Sequence, residues 1–335
     1  MYYLQDKCVV DEKEHAMAAG KTTVAIIGAG FIGRAWAVAF ARAGMNVKIW
    51  SRSEATAQKA IAFLAQVLPS LGEEGLLGDF SSQEILSNAR IETRLEVALE
   101  GADYIQENAP EDLQSKRDVF SLLDSLAEKN AIIASSTSAL LPSDFTDHLQ
   151  GRARCLVAHP VNPPYLIPAT EVVPAPWTSP DIVDRVCAIL RAAGQKPLIM
   201  EKELDGFIVN RLQGAVLNEA FRLVGEGYAT IEDVDTAIKD GLALRWSFMG
   251  PFETIDLNAP LGVRDYIEKY NGLYQNLHTQ MAERTNWEGP VMETVARGRR
   301  AVLPTEALGK RQLWRDRRLM ALIRHKLDAD ARIGS

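Results

Sequence analysis

The sequence has little cysteine, no long apolar run and no excess of positive charge. Its three cysteines, Cys8, Cys155 and Cys187, are too widely spaced for a disulfide framework or a thiolate metal site. We therefore expect a reducing, cytoplasmic location and no bound metal. No segment reaches the roughly 20 consecutive apolar residues that span a bilayer, and the first residues lack a basic region followed by an apolar one. We expect neither a signal peptide nor a membrane partner.

The charge balance is acidic, because 37 Lys and Arg residues stand against 44 Asp and Glu residues, for a net charge of -7. Proteins that bind a phosphate backbone present a basic stripe, and here arginines cluster only near residues 297–300 and 315–318. We therefore expect no nucleic acid partner. The 47% hydrophobic content supplies a core for one or two domains and excludes a largely disordered chain.

The two halves of the chain show different periodicities. Short β-branched segments alternate with helical ones from residue 21 to about 202, which is typical of parallel βαβ units. From 203 to 335 apolar residues recur at helical spacing, without short strands. The sequence predicts a Rossmann-like, doubly wound, mostly parallel α/β domain at 21–202, an all-helical domain at 203–335 and a polar extension at 1–20. The predicted strands are residues 24–27, 47–50, 104–106, 131–134, 155–158, 171–173 and 197–200.

A glycine-rich segment follows the first predicted strand and opens a helical run. Gly28 suits the tight turn, Gly30 lets backbone approach a pyrophosphate, and Gly33 allows close packing of helix on strand. Phe31 and Ile32 complete this segment at the start of the helix, where unpaired N–H groups and the helix dipole favour phosphate. The segment predicts a dinucleotide-binding site.

The end of the second predicted strand bears on the choice of cofactor. NAD-binding folds commonly carry an acidic residue there, whereas this chain has Ser51 and Arg52. A guanidinium and a hydroxyl favour a 2′-phosphate, so we expect NADP(H) to be accepted or preferred. In the alternative interpretation, Arg52 lies in solvent and Glu54 takes the place of the acidic residue.

One histidine lies in a setting suited to catalysis. His159 ends a predicted strand and precedes a rigid, proline-rich turn at the edge where such sheets bind ligands. The polar run 135–138 ends another predicted strand, Glu171 lies within a predicted strand, and Asn210 lies on a predicted helix among apolar residues. A histidine before proline is by itself more often structural, but these three neighbours favour a catalytic group.

These motifs resemble the 3-hydroxyacyl-CoA dehydrogenase family, and within it the lambda-crystallin and L-gulonate 3-dehydrogenase branch. The resemblance covers about residues 22–320 and keeps the order and spacing of the motifs. The matching segments are residues 28–33, 107–116, 136–138, 159–164, 171, 206–211 and 241–254.

The resemblance implies an NAD(H)-dependent oxidation of a secondary alcohol. It implies a catalytic group of four residues, Ser138, His159, Glu171 and Asn210, in which the histidine is the general base. In that group Glu171 would fix the tautomer of the imidazole, while the serine and the amide would hold the substrate oxygen.

The resemblance also implies cofactor contacts from Glu111 and Lys116.

The substrate is less clearly indicated. We expect a small hydroxy acid, L-gulonate-like or 3-hydroxybutyrate-like, with Asn162 and Arg245 as further substrate contacts and Arg245 paired to its carboxylate. In the alternative interpretation Arg245 merely bridges helices. An acyl-CoA thioester, carnitine and a non-catalytic, crystallin-like structural role remain open.

The helical half also suggests self-association. Its apolar residues exceed what one layer against the first domain would cover, so we expect a homodimer through this domain. In the alternative they form only an internal core. The residues in question are Phe221, Leu223, Val224, Ile231 and Ile238.

Overall fold

The computed structural model of the protein describes residues 21–334. The predicted polar extension at 1–20, with Cys8, lies outside the described residues. The described residues divide into two compact units, with the boundary between Ile208 and Val209. The division falls a few residues after the position 202/203 chosen from the sequence.

The first unit contains one eight-stranded sheet with the strand order β3-β2-β1-β4-β5-β6-β7-β8. The strands are β1 (Thr23–Ile27), β2 (Asn46–Trp50), β3 (Ala89–Ile91), β4 (Tyr104–Glu107), β5 (Ile132–Ser135), β6 (Cys155–Pro160), β7 (Ala169–Pro174) and β8 (Lys196–Ile199). Strands β1 to β6 pair in parallel, β7 is antiparallel to β6, and β8 is parallel to β7. This confirms the predicted Rossmann-like, mostly parallel sheet.

The central strands are buried along their whole length. Every residue of β4, β5 and β6 is buried, so both faces of the sheet are covered there. The apolar runs that predicted β5 and β6 follow from this burial, whereas β4 also buries the polar side chains of Gln106 and Glu107. The sequence missed β3, which has three residues with an exposed arginine in the middle and therefore shows no apolar run.

Seven helices connect the strands of the first unit. They are α1 (Phe31–Arg42), α2 (Glu54–Glu73), α3 (Ser82–Ser87), α4 (Leu95–Leu99), α5 (Leu113–Leu126), α6 (Pro142–Thr146) and α7 (Pro180–Ala192). A 3₁₀ turn at Arg152–Arg154 precedes β6. Local sequence sets the ends of these helices. Ser81 and Glu84 form a capping box before α3, and Asp112 caps α5 by accepting a hydrogen bond from the N–H of Ser115 at 2.8 Å.

The second unit is helical throughout its described residues, as the sequence predicts. Its helices are α8 (Val209–Gly225), α9 (Ile231–Thr236), α10 (Ala243–Trp246), α11 (Pro251–Leu257), α12 (Val263–Met281), α13 (Pro290–Val302) and α14 (Leu308–Ile333). A π-helical segment at Ala237–Leu242 precedes α10, and a 3₁₀ turn at Thr305–Ala307 precedes α14. Across residues 21–334, none of the helices combines the length and apolar character that a membrane crossing requires.

Candidate active site

The glycine-rich turn lies between β1 and α1. At two of its glycines a side chain would clash with a backbone carbonyl. Gly28 has φ of 93°, and a Cβ there would lie 2.8 Å from the carbonyl oxygen of Asn108. A Cβ at Gly33 would lie 1.9 Å from the carbonyl oxygen of Gly28. Gly30 differs, because a Cβ there would meet no atom within 4 Å. Two glycines therefore close the turn, and the third leaves open space beside it.

The start of α1 is suited to an anion. Gly30 is the N-cap, and no side chain caps the helix, so the first N–H groups of Phe31, Ile32 and Gly33 have no capping acceptor. No acidic residue lies in the first turn. The open space at Gly30 and these donors fit the pyrophosphate of a dinucleotide.

A cavity of about 410 Å³ extends from this turn to the end of β2. Gly28 and Gly30 line it at one end, and Ser51 and Arg52 line it beyond β2. Glu54 is not among its lining residues and accepts a hydrogen bond from Gln58 within α2 at 3.3 Å. The cavity has the size of a ligand site, and the residues at its far end are the two that bear on the choice of cofactor.

A hydrogen-bond network lies beneath the glycine-rich turn. Ser136 Oγ accepts hydrogen bonds from Trp36 Nε1 at 3.1 Å and from Gln106 Nε2 at 2.7 Å. The same hydroxyl donates to Asn108 Oδ1 at 2.8 Å. Asn108 Nδ2 in turn donates to the carbonyls of Gln106 and Ile27 at 2.9 and 3.4 Å. Asn108, whose own carbonyl excludes a side chain at the first glycine, is held in place by these contacts.

The network also reaches the strand that carries His159. Gln106 Nε2 donates to the carbonyl of Ala158 at 3.3 Å, and Gln106 Oε1 accepts from the hydroxyl of Tyr104 at 2.5 Å. Burial raises the pKa of Tyr104 well above its ordinary value, so the hydroxyl stays protonated and donates. The network links the cofactor turn to the residue before the histidine.

His159 and Glu171 form a buried pair at the end of β6. They lie opposite each other in the antiparallel register of β6 and β7, and His159 Nδ1 lies 2.6 Å from Glu171 Oε2. His159 is 7% exposed and Glu171 is fully buried. The second carboxylate oxygen of Glu171 accepts a hydrogen bond from the N–H of Ile208 at 2.6 Å. The carboxylate is therefore fixed from two sides and holds the imidazole in one orientation.

Phe207 also packs against the imidazole. Its ring centroid lies 5.6 Å from that of His159, and the side chain is fully buried. Its φ of 51° is unusual for a residue with a side chain. Neither this contact nor the positive φ of Phe207 was predicted from the sequence, in which the preceding Gly206 is the residue expected to take such a conformation.

Glu111 holds the loop that carries Ser138. Its Oε1 accepts hydrogen bonds from Thr137 Oγ1 at 2.5 Å and from the N–H groups of Ser138 and Ala139 at 2.8 and 3.2 Å. Ser138 is exposed at the carboxyl edge of the sheet, just beyond β5. The structure therefore brings together two of the predicted residues, Glu111 and Ser138, by direct contact.

Lys116, for which the resemblance implies a cofactor contact, lies in a buried ion pair. It is 1% exposed, and its ammonium donates to both oxygens of Glu107 at 2.9 Å. A third bond goes to the carbonyl of Ala109 at 3.1 Å. In this structure Lys116 is one half of a buried ion pair beneath the 107–111 segment.

Asn162 follows His159 in the proline-rich turn. Its Oδ1 is buried and has no hydrogen-bond partner in the structure. A buried acceptor without a donor is costly, and a bound hydroxyl or amide would satisfy it. This fits the substrate contact expected of Asn162.

The other two predicted residues belong to the second unit. Asn210 lies in the first turn of α8, and Arg245 lies in α10 with a buried Nε that has no hydrogen-bond partner. The hydroxyls of Tyr266 and Tyr274 on α12 lie 2.8 Å apart. Their hydrogen bond raises the pKa of Tyr266, and the positive charge of Arg245 opposes the rise. Arg245 thus lies near these tyrosines. Among residues 21–334, His, Cys, Asp and Glu side chains form no group that could hold a metal ion.

The Rossmann-like fold, the glycine-rich turn and the buried pair of His159 and Glu171 together define a dinucleotide-dependent oxidoreductase. A family model described as "3-hydroxyacyl-CoA dehydrogenase, NAD binding domain" matches residues 23–204, and one described as "3-hydroxyacyl-CoA dehydrogenase, C-terminal domain" matches 206–299. The chain therefore belongs to the 3-hydroxyacyl-CoA dehydrogenase family of NAD-dependent oxidoreductases, as its motifs predict.

The relatives include lambda-crystallins and L-carnitine dehydrogenases. Lambda-crystallin of Oryctolagus cuniculus is 40% identical over 306 residues, which are 90% of this chain and 96% of the relative. L-carnitine dehydrogenase of Pseudomonas putida is 38% identical over 249 residues, 74% of this chain and 76% of the relative. Among solved structures, an NAD+-dependent 5-formyl-3-hydroxy-2-methylpyridine 4-carboxylic acid 5-dehydrogenase is similar with a TM-score of 0.78 and 27% identity, over 91% of this chain and 98% of that one.

Proposed function

We propose that the protein is a dehydrogenase of small 3-hydroxy acids, L-gulonate-like or 3-hydroxybutyrate-like, with His159 as general base. The observation that carries this proposal is the buried pair of His159 and Glu171, joined at 2.6 Å at the edge of the sheet. Oxidising a secondary alcohol removes a proton from oxygen and a hydride from carbon, so the reaction needs a positioned base. An imidazole serves this purpose near neutral pH.

The mechanism follows from the orientation of the imidazole. With Nδ1–H donating to Glu171, the other ring nitrogen is the basic one and takes the hydroxyl proton of the substrate. When bound, the nicotinamide accepts the hydride. The carboxylate of Glu171 stabilises the imidazolium that forms, and the proton then passes to water.

The remaining predicted residues would hold the substrate. Ser138 and Asn210 are proposed to contact the reacting oxygen, and the unpartnered Oδ1 of Asn162 is proposed to accept from a substrate hydroxyl. Arg245 remains a candidate substrate contact on the second unit.

For the cofactor, we propose that NADP(H) is accepted or preferred over NAD(H). Ser51 and Arg52 line the cavity at the end of β2, whereas Glu54 does not. A guanidinium attracts a 2′-phosphate and a carboxylate repels it. The test is kcat/KM with both cofactors for the wild type and for Arg52→Asp. We expect the variant to shift the ratio toward NAD by about 10-fold or more, as the loss of a charge-assisted contact predicts. A wild type with strong NAD preference, unchanged by the substitution, would contradict the proposal.

A second candidate substrate is a carnitine-like quaternary ammonium acid. Tyr270 and Tyr274 lie with ring centroids 4.7 and 6.4 Å from that of Tyr266, near Arg245. Aromatic rings bind quaternary ammonium groups, and an arginine binds a carboxylate. The relatives named L-carnitine dehydrogenase add to this candidate.

The experiment that tests the function is a substrate screen with purified protein. L-gulonate, 3-hydroxybutyrate, L-carnitine and 3-hydroxybutyryl-CoA are each supplied with NAD+ and NADP+, and reduced nicotinamide is followed by absorbance. We expect a free acid to be oxidised far faster than the thioester. A strong preference for the CoA thioester would overturn the proposed substrate class, and no turnover of any of the four would favour a structural role.

We also propose a homodimer through the helical unit. Phe221 stacks on Trp287 with centroids 4.9 Å apart, and a Cβ at Gly298 would lie 2.4 Å from the side chain of Ile231, so part of the predicted apolar set packs internally. Other large side chains there are exposed, such as Phe252 at 79% and Leu261 at 84%. Patches of this kind are typical of interfaces. Light scattering is the test, and a monomer at micromolar concentration would contradict it. A cytoplasmic location remains a prediction from the scarcity of cysteine.

A further inference from the structure

Arg34 has an unusual environment in the first turn of α1. Its guanidinium carbon lies 4.3 Å from the centroid of the Phe63 ring and 4.9 Å from that of the Phe31 ring. The side chain is half-buried, and its Nε is buried without a hydrogen-bond partner. Among residues 21–334, no carboxylate pairs with it. Arg154, which is also buried in this unit, instead donates to Asp124 at 2.8 Å.

This arrangement is costly unless a ligand completes it. A buried N–H without an acceptor is unfavourable, and the aromatic contacts offset only part of that cost. Rings that cover the faces of a guanidinium leave the donors in its plane available. Those donors form a planar fork that matches two oxygens of a carboxylate or a phosphate. The geometry of Arg34 is therefore that of an anion-binding group.

The neighbours of Arg34 connect it to the turn that follows His159. The ring of Phe63 meets that of Tyr165 edge-on, with centroids 5.9 Å apart. Tyr165 lies in the same turn as Asn162, after His159. Arg34, Phe31 and Phe63 do not line the cavity that contains Ser51 and Arg52.

We propose that Arg34 binds the carboxylate of the 3-hydroxy acid substrate. This inference rests on the proposed function and names the group that makes the enzyme select a free acid. A guanidinium could equally bind the pyrophosphate of the cofactor, which is also an anion. It is disfavoured because the open space at Gly30 and the uncapped N–H groups of α1 already fit it.

The test uses two variants of Arg34 and a matched control. Arg34→Met keeps the stem that packs against the rings and removes the charge, and Arg34→Lys keeps the charge but loses the planar fork. Arg191→Met, at an exposed position on α7, controls for loss of one positive charge. Thermal unfolding of each variant verifies that it is folded. Three quantities are then measured: KM and kcat for 3-hydroxybutyrate, the same for neutral 3-hydroxybutyramide, and Kd for the reduced cofactor by fluorescence titration. Calorimetric titration with 3-hydroxybutyrate measures binding without turnover.

For Arg34→Met we expect KM for the acid to rise about 10- to 100-fold, as the loss of a charge-assisted contact predicts. The amide kinetics, the cofactor Kd and the Arg191→Met control should stay within about twofold, and Arg34→Lys should fall between the wild type and Arg34→Met. Unchanged KM in Arg34→Met overturns the proposal while leaving the proposed function intact, as does a loss confined to Arg245→Met. A cofactor Kd that rises by the same factor as KM also overturns it and assigns Arg34 to the pyrophosphate.

The binding measurement separates this proposal from the proposed function. If the wild type binds 3-hydroxybutyrate but does not oxidise it, and Arg34→Met abolishes binding, the carboxylate site stands and the proposed reaction fails. If the wild type neither binds nor oxidises the acid, both fail.

Discussion

Two glycines of one motif should fail in different ways when a methyl group is added. In Gly33→Ala the new Cβ would lie 1.9 Å from the carbonyl oxygen of Gly28 and 3.0 Å from its carbonyl carbon. Both atoms are backbone, so no side chain can rotate away. Ordinary contacts begin at about 3.4 Å, so α1 and the turn must separate by more than 1 Å. Such overpacking costs about 1–3 kcal/mol. Gly30→Ala meets nothing within 4 Å and has a φ of -67°, which alanine adopts readily.

The expected results therefore differ. Gly33→Ala should lower the free energy of unfolding by about 1–3 kcal/mol and should also weaken cofactor binding, because it displaces the start of α1. Gly30→Ala should change stability by less than about 0.5 kcal/mol but should raise the cofactor Kd by about 10-fold or more, because its methyl group fills the space beside the turn.

The assay is urea unfolding together with fluorescence titration of the reduced cofactor, with the wild type measured in parallel. Wild-type stability and wild-type affinity in Gly33→Ala would refute the close contact in the turn. Wild-type affinity in Gly30→Ala would refute the assignment of the open space to the pyrophosphate.

Three further predictions follow from buried groups. Lys116→Met should lower the free energy of unfolding by about 3–5 kcal/mol, because it leaves Glu107 buried and unpaired. Urea unfolding measures this loss, and adding a second substitution that neutralises the carboxylate of Glu107 should restore part of it. Burial raises the pKa of the Cys155 thiol from 9.0 to about 12, so the stability it contributes is present below pH 9 and is lost as pH rises toward 12. Unfolding at a series of alkaline pH values should show this loss, Cys155→Ala should reduce it, and an identical slope in both would contradict the burial effect. Glu171→Gln should lower kcat by about 100-fold or more with little change in cofactor Kd, since the imidazolium of His159 loses its counter-charge, and a normal kcat would contradict that role.

The dinucleotide turn and most of the sheet could be predicted from the sequence because their causes are local. Gly33 is a glycine because a Cβ would meet the carbonyl of Gly28, five residues earlier, and Gly28 takes a positive φ in the turn itself. The second reason for Gly28, the carbonyl of Asn108, lies far away in the sequence. Most of the buried strands show apolar runs. The three-residue β3 has no such run. The antiparallel direction of β7 depends on pairing at long range, which periodicity does not report.

The site was predictable in its members more than in its contacts. A carboxylate at Glu171 within an apolar strand indicated that a partner was needed, and the partner is His159. Gln106, a polar side chain within a predicted strand, likewise indicated that partners were needed. Its network through Ser136 and Asn108 was not predicted. The burial of Lys116 against Glu107 was not predicted, because a lysine on an amphipathic helix normally lies in solvent.

The role of His159 as general base is tested by the rate at which His159→Gln oxidises the best hydroxy acid found in the screen, at saturating cofactor. We expect the wild type to turn over and the variant to lose about 100-fold or more in kcat while its cofactor Kd stays unchanged, as removal of a general base requires. A variant that keeps most of the wild-type kcat would show that the pair of His159 and Glu171 is structural and that the proton leaves by another route.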